Sequence, residues 1–133
     1  MVTGSLDYGQ GHAAAFAQIV GSKLGISLEH FRLIQGDSDE LIAGQGTGGS
    51  KTLISGGTIM LHTAEKVIEN GRLIASHVLE AAPADIVFAD GKFTIKGTDH
   101  SVNIFAVAKT AENRGGTLSA DHTAKIATPG YPY

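Results

Sequence analysis

The chain has 133 residues, enough for one domain with a real core but not for two independent ones. With 42% hydrophobic and 17% charged residues it is globular rather than disordered, and a net charge of −3 without a basic stripe excludes nucleic-acid binding through bulk charge. Cysteine is absent, which excludes disulfides, thiolate zinc sites and any iron–sulfur cluster ligated from within the chain.

Val2 to Leu6 alternates like a short strand and runs into a glycine bend, "DYGQG". "GHAAAFAQIVGSKLG" then reads as a helix, with Phe16, Ile19, Val20 and Leu24 on one face and Gly25 as the stop after its last turn. A turn follows, then a strand over Phe31 to Gln35, ended by Gly36-Asp37. A loop leads from Gly36 to about Gly49. From Ser50 to about Ala82 the apolar spacing is helical, interrupted at Asn70-Gly71, so the pattern fits one long helix with a weak point or two shorter ones; Pro83 marks its end. "DIVFADGKFTIKG" predicts two strands joined by a two-residue Asp-Gly turn. "SVNIFAVAKTA" predicts a short helix with Ser101 as N-cap, and the tail from Asn113 is loop with room for one strand. No apolar run reaches the ~18 residues of a membrane span and no secretory leader opens the sequence, so a cytoplasmic setting is expected. The 18 glycines cluster in loops and the chain stops at "TPGYPY" without a closing element, the pattern of a piece of a longer polypeptide.

Two predicted helices begin directly after glycine-rich turns, "DYGQGH" and "GQGTGGSKT". The first-turn N–H groups of a helix point outward with about half a positive charge, and glycine lets a phosphate approach the backbone. Thr47, Ser50 and Thr52 add hydroxyls, Lys51 a point charge, and Gln10 an amide for a ring edge. One such loop, taken alone, is as often structural as ligand-binding. Two in one small domain point to a large anionic ligand gripped at several places. The common nucleotide loops do not fit. Ser50 separates Gly49 from Lys51 and puts a Walker A loop out of register; Gly44, Gly46 and Gly49 meet G-x-G-x-x-G literally, but no βαβ unit surrounds them.

Other chemistry is sparse. The six histidines include no pair at the i, i+4 spacing of a helical metal site, and His62 and His77 read as packing or surface residues. His12 differs because it opens a helix beside Gln10, where its ring can face a ligand. Asp37, Asp39 and Glu40 lack the spacing of a calcium loop and read as a solvated turn. No general base stands next to a nucleophile, so the chain reads as a holder with no catalytic residue of its own.

"TGSLDYGQGHAAAFAQIV", "QGDSDELIAGQGTGGSKTLISGG" and "VFADGKFTIKGTDHSVNIFAVA", in that order over almost the whole chain, resemble the molybdopterin-binding large subunit of the xanthine dehydrogenase/aldehyde oxidase family, and within it the carbon monoxide dehydrogenase-like large subunits. The resemblance rests on both glycine motifs at the family spacing together with the Asp-Gly hairpin. It implies an α+β, two-layer fold with helices packed on a mixed sheet, residues 1–133 forming a single partial domain of a larger polypeptide. It also implies a molybdenum–molybdopterin dinucleotide, usually the cytosine form in bacterial members, whose dithiolene holds the metal. Gly9, Gln10 and Gly11 would then contact the pterin, with His12 a further candidate, while Thr47, Gly48, Gly49, Ser50, Lys51 and Thr52 would bind the pterin and its phosphates.

The family reaction hydroxylates a carbon centre with oxygen from water, or oxidises CO, and passes electrons to iron–sulfur and flavin partners on other subunits or domains. The family's catalytic glutamate belongs to a C-terminal segment not matched here, which makes the isolated chain catalytically inert and at best a weak binder of cofactor. The alternative from another class is a cofactor-free structural or subunit-interaction module on the same scaffold.

Overall fold

A computed structural model describes residues 1–40, 46–47 and 52–122. These fold as α+β, as expected, with parallel and antiparallel strand pairing both present. The chain divides into two compact units. Met1–Ser22 and Ser27–His62, with His122, belong to the first; Lys23–Ile26 and Thr63–Asp121 form the second.

In the first unit β1 (Val2–Thr3) pairs in parallel with β2 (Ile34–Gln35), Val2 opposite Ile34 and Thr3 opposite Gln35. Both strands are shorter than the sequence predicts. Phe31 is diverted because its N–H caps a 3₁₀ turn at Leu28–His30 by donating to the Leu28 carbonyl. Helix α1 (His12–Leu24) carries an alanine-rich first turn that favours helix and buries Phe16, Ala17 and Val20 along the predicted face. A π-turn, Thr52–Gly56, opens directly into α2 (Gly57–Leu79). The glycines at this junction let α1 come close: a Cβ on Gly56 would lie 3.1 Å from Phe16 Cζ, and one on Gly57 3.0 Å from Ile19 Cδ1. Asp37, Asp39 and Glu40 form the exposed turn that was expected, with the Asp39 N–H donating to Asp37 Oδ1 at 3.0 Å.

The second unit is a helix-on-sheet layer. β3 (Ile86–Ala89), β4 (Lys92–Ile95) and β5 (Ser101–Asn103) form an antiparallel sheet in that order. The β3–β4 turn places Asp90 at φ 50° and Gly91 at φ 74°, the double left-handed conformation of a type I′ turn that Asp-Gly favours. Phe93 of β4 is fully buried, and its ring sits on α2 where Gly71 leaves room: a Cβ there would lie 2.6 Å from Phe93 Cζ. Helix α2 therefore runs unbroken through Asn70-Gly71, since the missing side chain is replaced by an aromatic ring from the sheet. Helix α3 (Ile104–Asn113) closes the layer with Ile104, Val107 and Ala111 buried. Burial of each large side chain in this core stabilises by about 1.5–3 kcal/mol.

Two boundaries differ from the sequence reading. Ser101 is not the N-cap of α3; it pairs with Thr94 in the sheet, and Asn103 caps the helix, its Oδ1 accepting from the Ala106 N–H at 2.8 Å. Sheet pairing won the segment over local helix propensity. Residues 114–122 contain no strand; the rest of the tail, where one was expected, lies outside the described residues.

Candidate functional site: the glycine loops of the first unit

The first glycine loop is organised by one carboxylate. Asp7 accepts three backbone hydrogen bonds, from Gly9 N–H (2.8 Å) and Gln10 N–H (2.7 Å) on Oδ1 and from His12 N–H (2.8 Å) on Oδ2. Asp followed two and three residues later by donating amides is the habitual use of this side chain at turns and helix starts. Partial desolvation pushes the Asp7 carboxyl up, but the amide bonds from His12, Gln10 and Gly9, with the charge of the His12 ring, outweigh it and hold the group below the usual carboxylate range. The expectation of bare amide hydrogens at the start of α1 is therefore corrected: at Gly9, Gln10 and His12 the chain's own anion takes them. The reason is a side chain the motif reading passed over, although D-x-G-Q spacing carries the signal.

The glycines themselves are open. Gly9 (φ 99°) and Gly11 (φ 75°) adopt left-handed backbone, and a Cβ built on either would meet nothing within 4 Å among the described residues. Gln10 is exposed, with Oε1 turned back to accept from the Tyr8 N–H at 2.6 Å, and Tyr8 beside it is 73% exposed. His12, whose ring is expected to face a ligand, is buried. It is only 6% exposed, its ring lies 5.6 Å from that of Phe16, and its Nδ1 makes no hydrogen bond among the described residues.

The second loop is described at Gly46 and Thr47 and from Thr52 onward; Gly48, Gly49, Ser50 and Lys51 lie outside the described residues. Its visible part is clasped to the segment just before Asp7. The Gly46 N–H donates to the Gly4 carbonyl at 3.1 Å, the Leu6 N–H donates to Thr47 Oγ1 at 2.7 Å, and the Thr47 hydroxyl donates to the Leu6 carbonyl at 2.5 Å. Gly46, at φ 73°, is open on its Cβ side like Gly9 and Gly11. Thr52 is buried at the first position of the π-turn. Sequence distant by about forty positions is thus joined, and the Thr47 hydroxyl is used in both directions by that joint.

Elsewhere the structure offers less. A groove in the second unit, lined by Lys23, Glu65, Ile68, Glu69, Arg72 and Phe88, contains none of the predicted residues. Its carboxylates are matched by cations, Lys23 to Glu65 at 2.9 Å and Arg72 to Glu69 at 2.6 Å, so it is a neutralised surface rather than a charged cleft. The rings of His62 and His122 come within 5.6 Å, but among the described residues no group of three or more His, Cys, Asp or Glu is placed to hold a metal. No helix among them is long and apolar enough to cross a membrane.

The described part of the second loop, Gly46 and Thr47, is thus held against Gly4 and Leu6, the residues that lead into the first glycine turn. Comparison with known proteins gives the family: residues 1–132 match the molybdopterin cofactor-binding domain, and the chain belongs to that family, found in large subunits of molybdenum hydroxylases. It is 31% identical over 138 aligned positions to the 6-hydroxypseudooxynicotine dehydrogenase complex subunit gamma of Paenarthrobacter nicotinovorans, covering 98% of this chain and 17% of that protein. It is 33% identical to the carbon monoxide dehydrogenase large chain of Hydrogenophaga pseudoflava over 77% of this chain and 13% of the relative. The fold superposes on the Cu,Mo-CO dehydrogenase in its carbon monoxide-reduced state with a TM-score of 0.80 at 26% identity, covering 90% of this chain and 16% of that one. Against quinoline 2-oxidoreductase of Pseudomonas putida 86 the TM-score is 0.73 at 28% identity, over 90% and 16% of the two chains. The chain therefore spans about a sixth of the length of these relatives.

Proposed function

We propose that this chain is the part of a molybdenum hydroxylase large subunit that holds a molybdopterin dinucleotide, in the cytosine form, through Gly9, Gln10, Gly11 and His12 on one loop and Thr47, Gly48, Gly49, Ser50, Lys51 and Thr52 on the other. The observation that supports the reading is the clasp of Gly46 and Thr47 on Gly4 and Leu6, which joins the described part of the second loop to the residues leading into the first. The residues suit such a guest. Gly9, Gly11 and Gly46 leave open space where a side chain would otherwise stand, so a flat ring can reach the backbone. His12 keeps an unpaired buried nitrogen at the head of α1. The Gln10 side-chain NH₂ is left to donate, since its Oε1 already accepts from the Tyr8 N–H.

When bound, that cofactor supplies the molybdenum centre for hydroxylation of carbon with oxygen from water, or for oxidation of CO. The residues of this chain orient it and exclude water from its edge; none acts as acid, base or nucleophile. The partners implied are the remaining segments of the large subunit and iron–sulfur and flavin subunits or domains, in a cytoplasmic setting. The isolated 133-residue chain is expected to reduce no dye with aldehyde, purine or CO as donor.

The test is molybdenum by elemental analysis, with cytidine nucleotide released by acid, in the polypeptide that carries this chain with its flanking segments. Near-stoichiometric metal is expected, falling at least tenfold in Thr47→Val, which removes both side-chain bonds of the clasp while leaving the circular dichroism unchanged. Metal at background in the unsubstituted protein would overturn the reading. That result would favour a cofactor-free subunit-interaction module, for which one observation speaks: Asp7 already satisfies three amides that an anionic guest would otherwise use.

A further inference from the structure

We propose that Asp7 is a positioning residue for the cofactor loop: its carboxylate fixes the Tyr8–His12 turn so that the open faces of Gly9 and Gly11 and the Gln10 side chain meet the neutral pterin ring edge. The proposal rests on the functional reading above.

The argument starts from the donors. A five-residue turn with two left-handed glycines has many competing conformations, and glycine restrains none of them. The three amide bonds to Asp7 select one, in which Oδ1 bridges Gly9 and Gln10 and Oδ2 reaches the first residue of α1. That single posture leaves the Cβ sides of Gly9 and Gly11 empty to 4 Å and turns Gln10 Oε1 inward onto the Tyr8 N–H, so the side-chain NH₂ is the end left for a ligand. The same bonds also change what the loop can bind. The amides of Gly9, Gln10 and His12 are no longer donors to a guest, and a carboxylate behind them repels a second anion at short range. Those three amides are therefore closed to a phosphate. A ring edge that offers an acceptor to the Gln10 NH₂ group is the chemistry that this side chain suits.

Two measurements decide the proposal. In the ¹⁵N-labelled chain, the Gly9, Gln10 and His12 amides are expected to exchange with solvent at least tenfold more slowly than in Asp7→Ala, while amides of the β3–β4–β5 sheet do not change. Asp7→Asn, which keeps one acceptor oxygen and loses the other, should fall between. In the polypeptide with its flanking segments, Asp7→Ala is expected to lose most of its molybdenum while the amides of the β3–β4–β5 sheet keep their protection, and Asp7→Asn to recover part of it. Unprotected amides in the unsubstituted chain, or full metal content in Asp7→Ala, would overturn the role of Asp7. Background metal in the unsubstituted polypeptide overturns instead the cofactor reading and with it the ligand half of this proposal, so the two failures are told apart by which measurement moves.

Discussion

Gly9, Gly11 and Gly46 and, in the other unit, Gly25, Gly71 and Gly91 are the same residue put to opposite uses. The first three hold left-handed backbone beside empty space. The second three are walled in: a Cβ on Gly25 would lie 2.5 Å from Asp90 Cα, on Gly91 3.2 Å from the Gly25 carbonyl oxygen, and on Gly71 2.6 Å from Phe93 Cζ. Crowded glycines serve packing, since two backbones or a backbone and a ring come closer than any side chain would allow. On Gly9, Gly11 and Gly46 a Cβ would meet none of the described residues within 4 Å, so these glycines serve no such packing. Sequence alone cannot separate the two kinds, because both stand in glycine-rich turns or helices.

The harshest way to break this contrast is Gly25→Ala. It combines a backbone collision with left-handed strain at φ 64°, and a loss of about 3 kcal/mol or more is expected in urea unfolding. A change within 0.5 kcal/mol, roughly the scatter of a neutral surface substitution, would show that the close approach is not real. Gly71→Ala comes next. Alanine gains up to about 1 kcal/mol of helix propensity but must displace a fully buried ring, so a net loss of about 1–2 kcal/mol is expected. Gly46→Ala, with open space and only the φ penalty, should cost about 1 kcal/mol and no more.

The smallest effect sharpens the contrast at the open loop. Since the folded Asp7 carboxyl is held below its usual range, its contribution is complete above the unfolded value of about 3.9 and is lost as pH falls through the lower folded value. The stability difference between the wild type and Asp7→Asn should be flat from pH 8 to 5 and shrink below about pH 4. A difference that instead grew on acidification would mean that the carboxylate is not the acceptor.

How much of this was legible depends on whether the deciding partner is near in sequence. The Asp90-Gly91 turn, the Gly25 stop and the amphipathic face of α1 are local matters, and the sequence reading agrees with the structure there. The unbroken α2 was not legible, because what compensates Gly71 is Phe93, a residue on another element. Ser101 and Asn103 are both good caps, and only the pairing of Ser101 with Thr94 decides between them. At the candidate site the glycines were conspicuous while Asp7 was overlooked, although its Asx spacing is a local signal. The Thr47–Leu6 joint spans residues too distant for any periodicity to reveal.

Hairpin tips are ordinarily the places where a chain accepts an insertion. The β3–β4 tip is an exception: Gly25 lies against Asp90, and the Gly91 carbonyl receives the Ile104 N–H at 2.8 Å, so backbone from two other segments of the second unit meets the tip. A peptide tag spliced between Asp90 and Gly91 should wreck the sheet layer. The same tag at Gly97, where a Cβ would meet nothing within 4 Å among the described residues, should be carried with less harm.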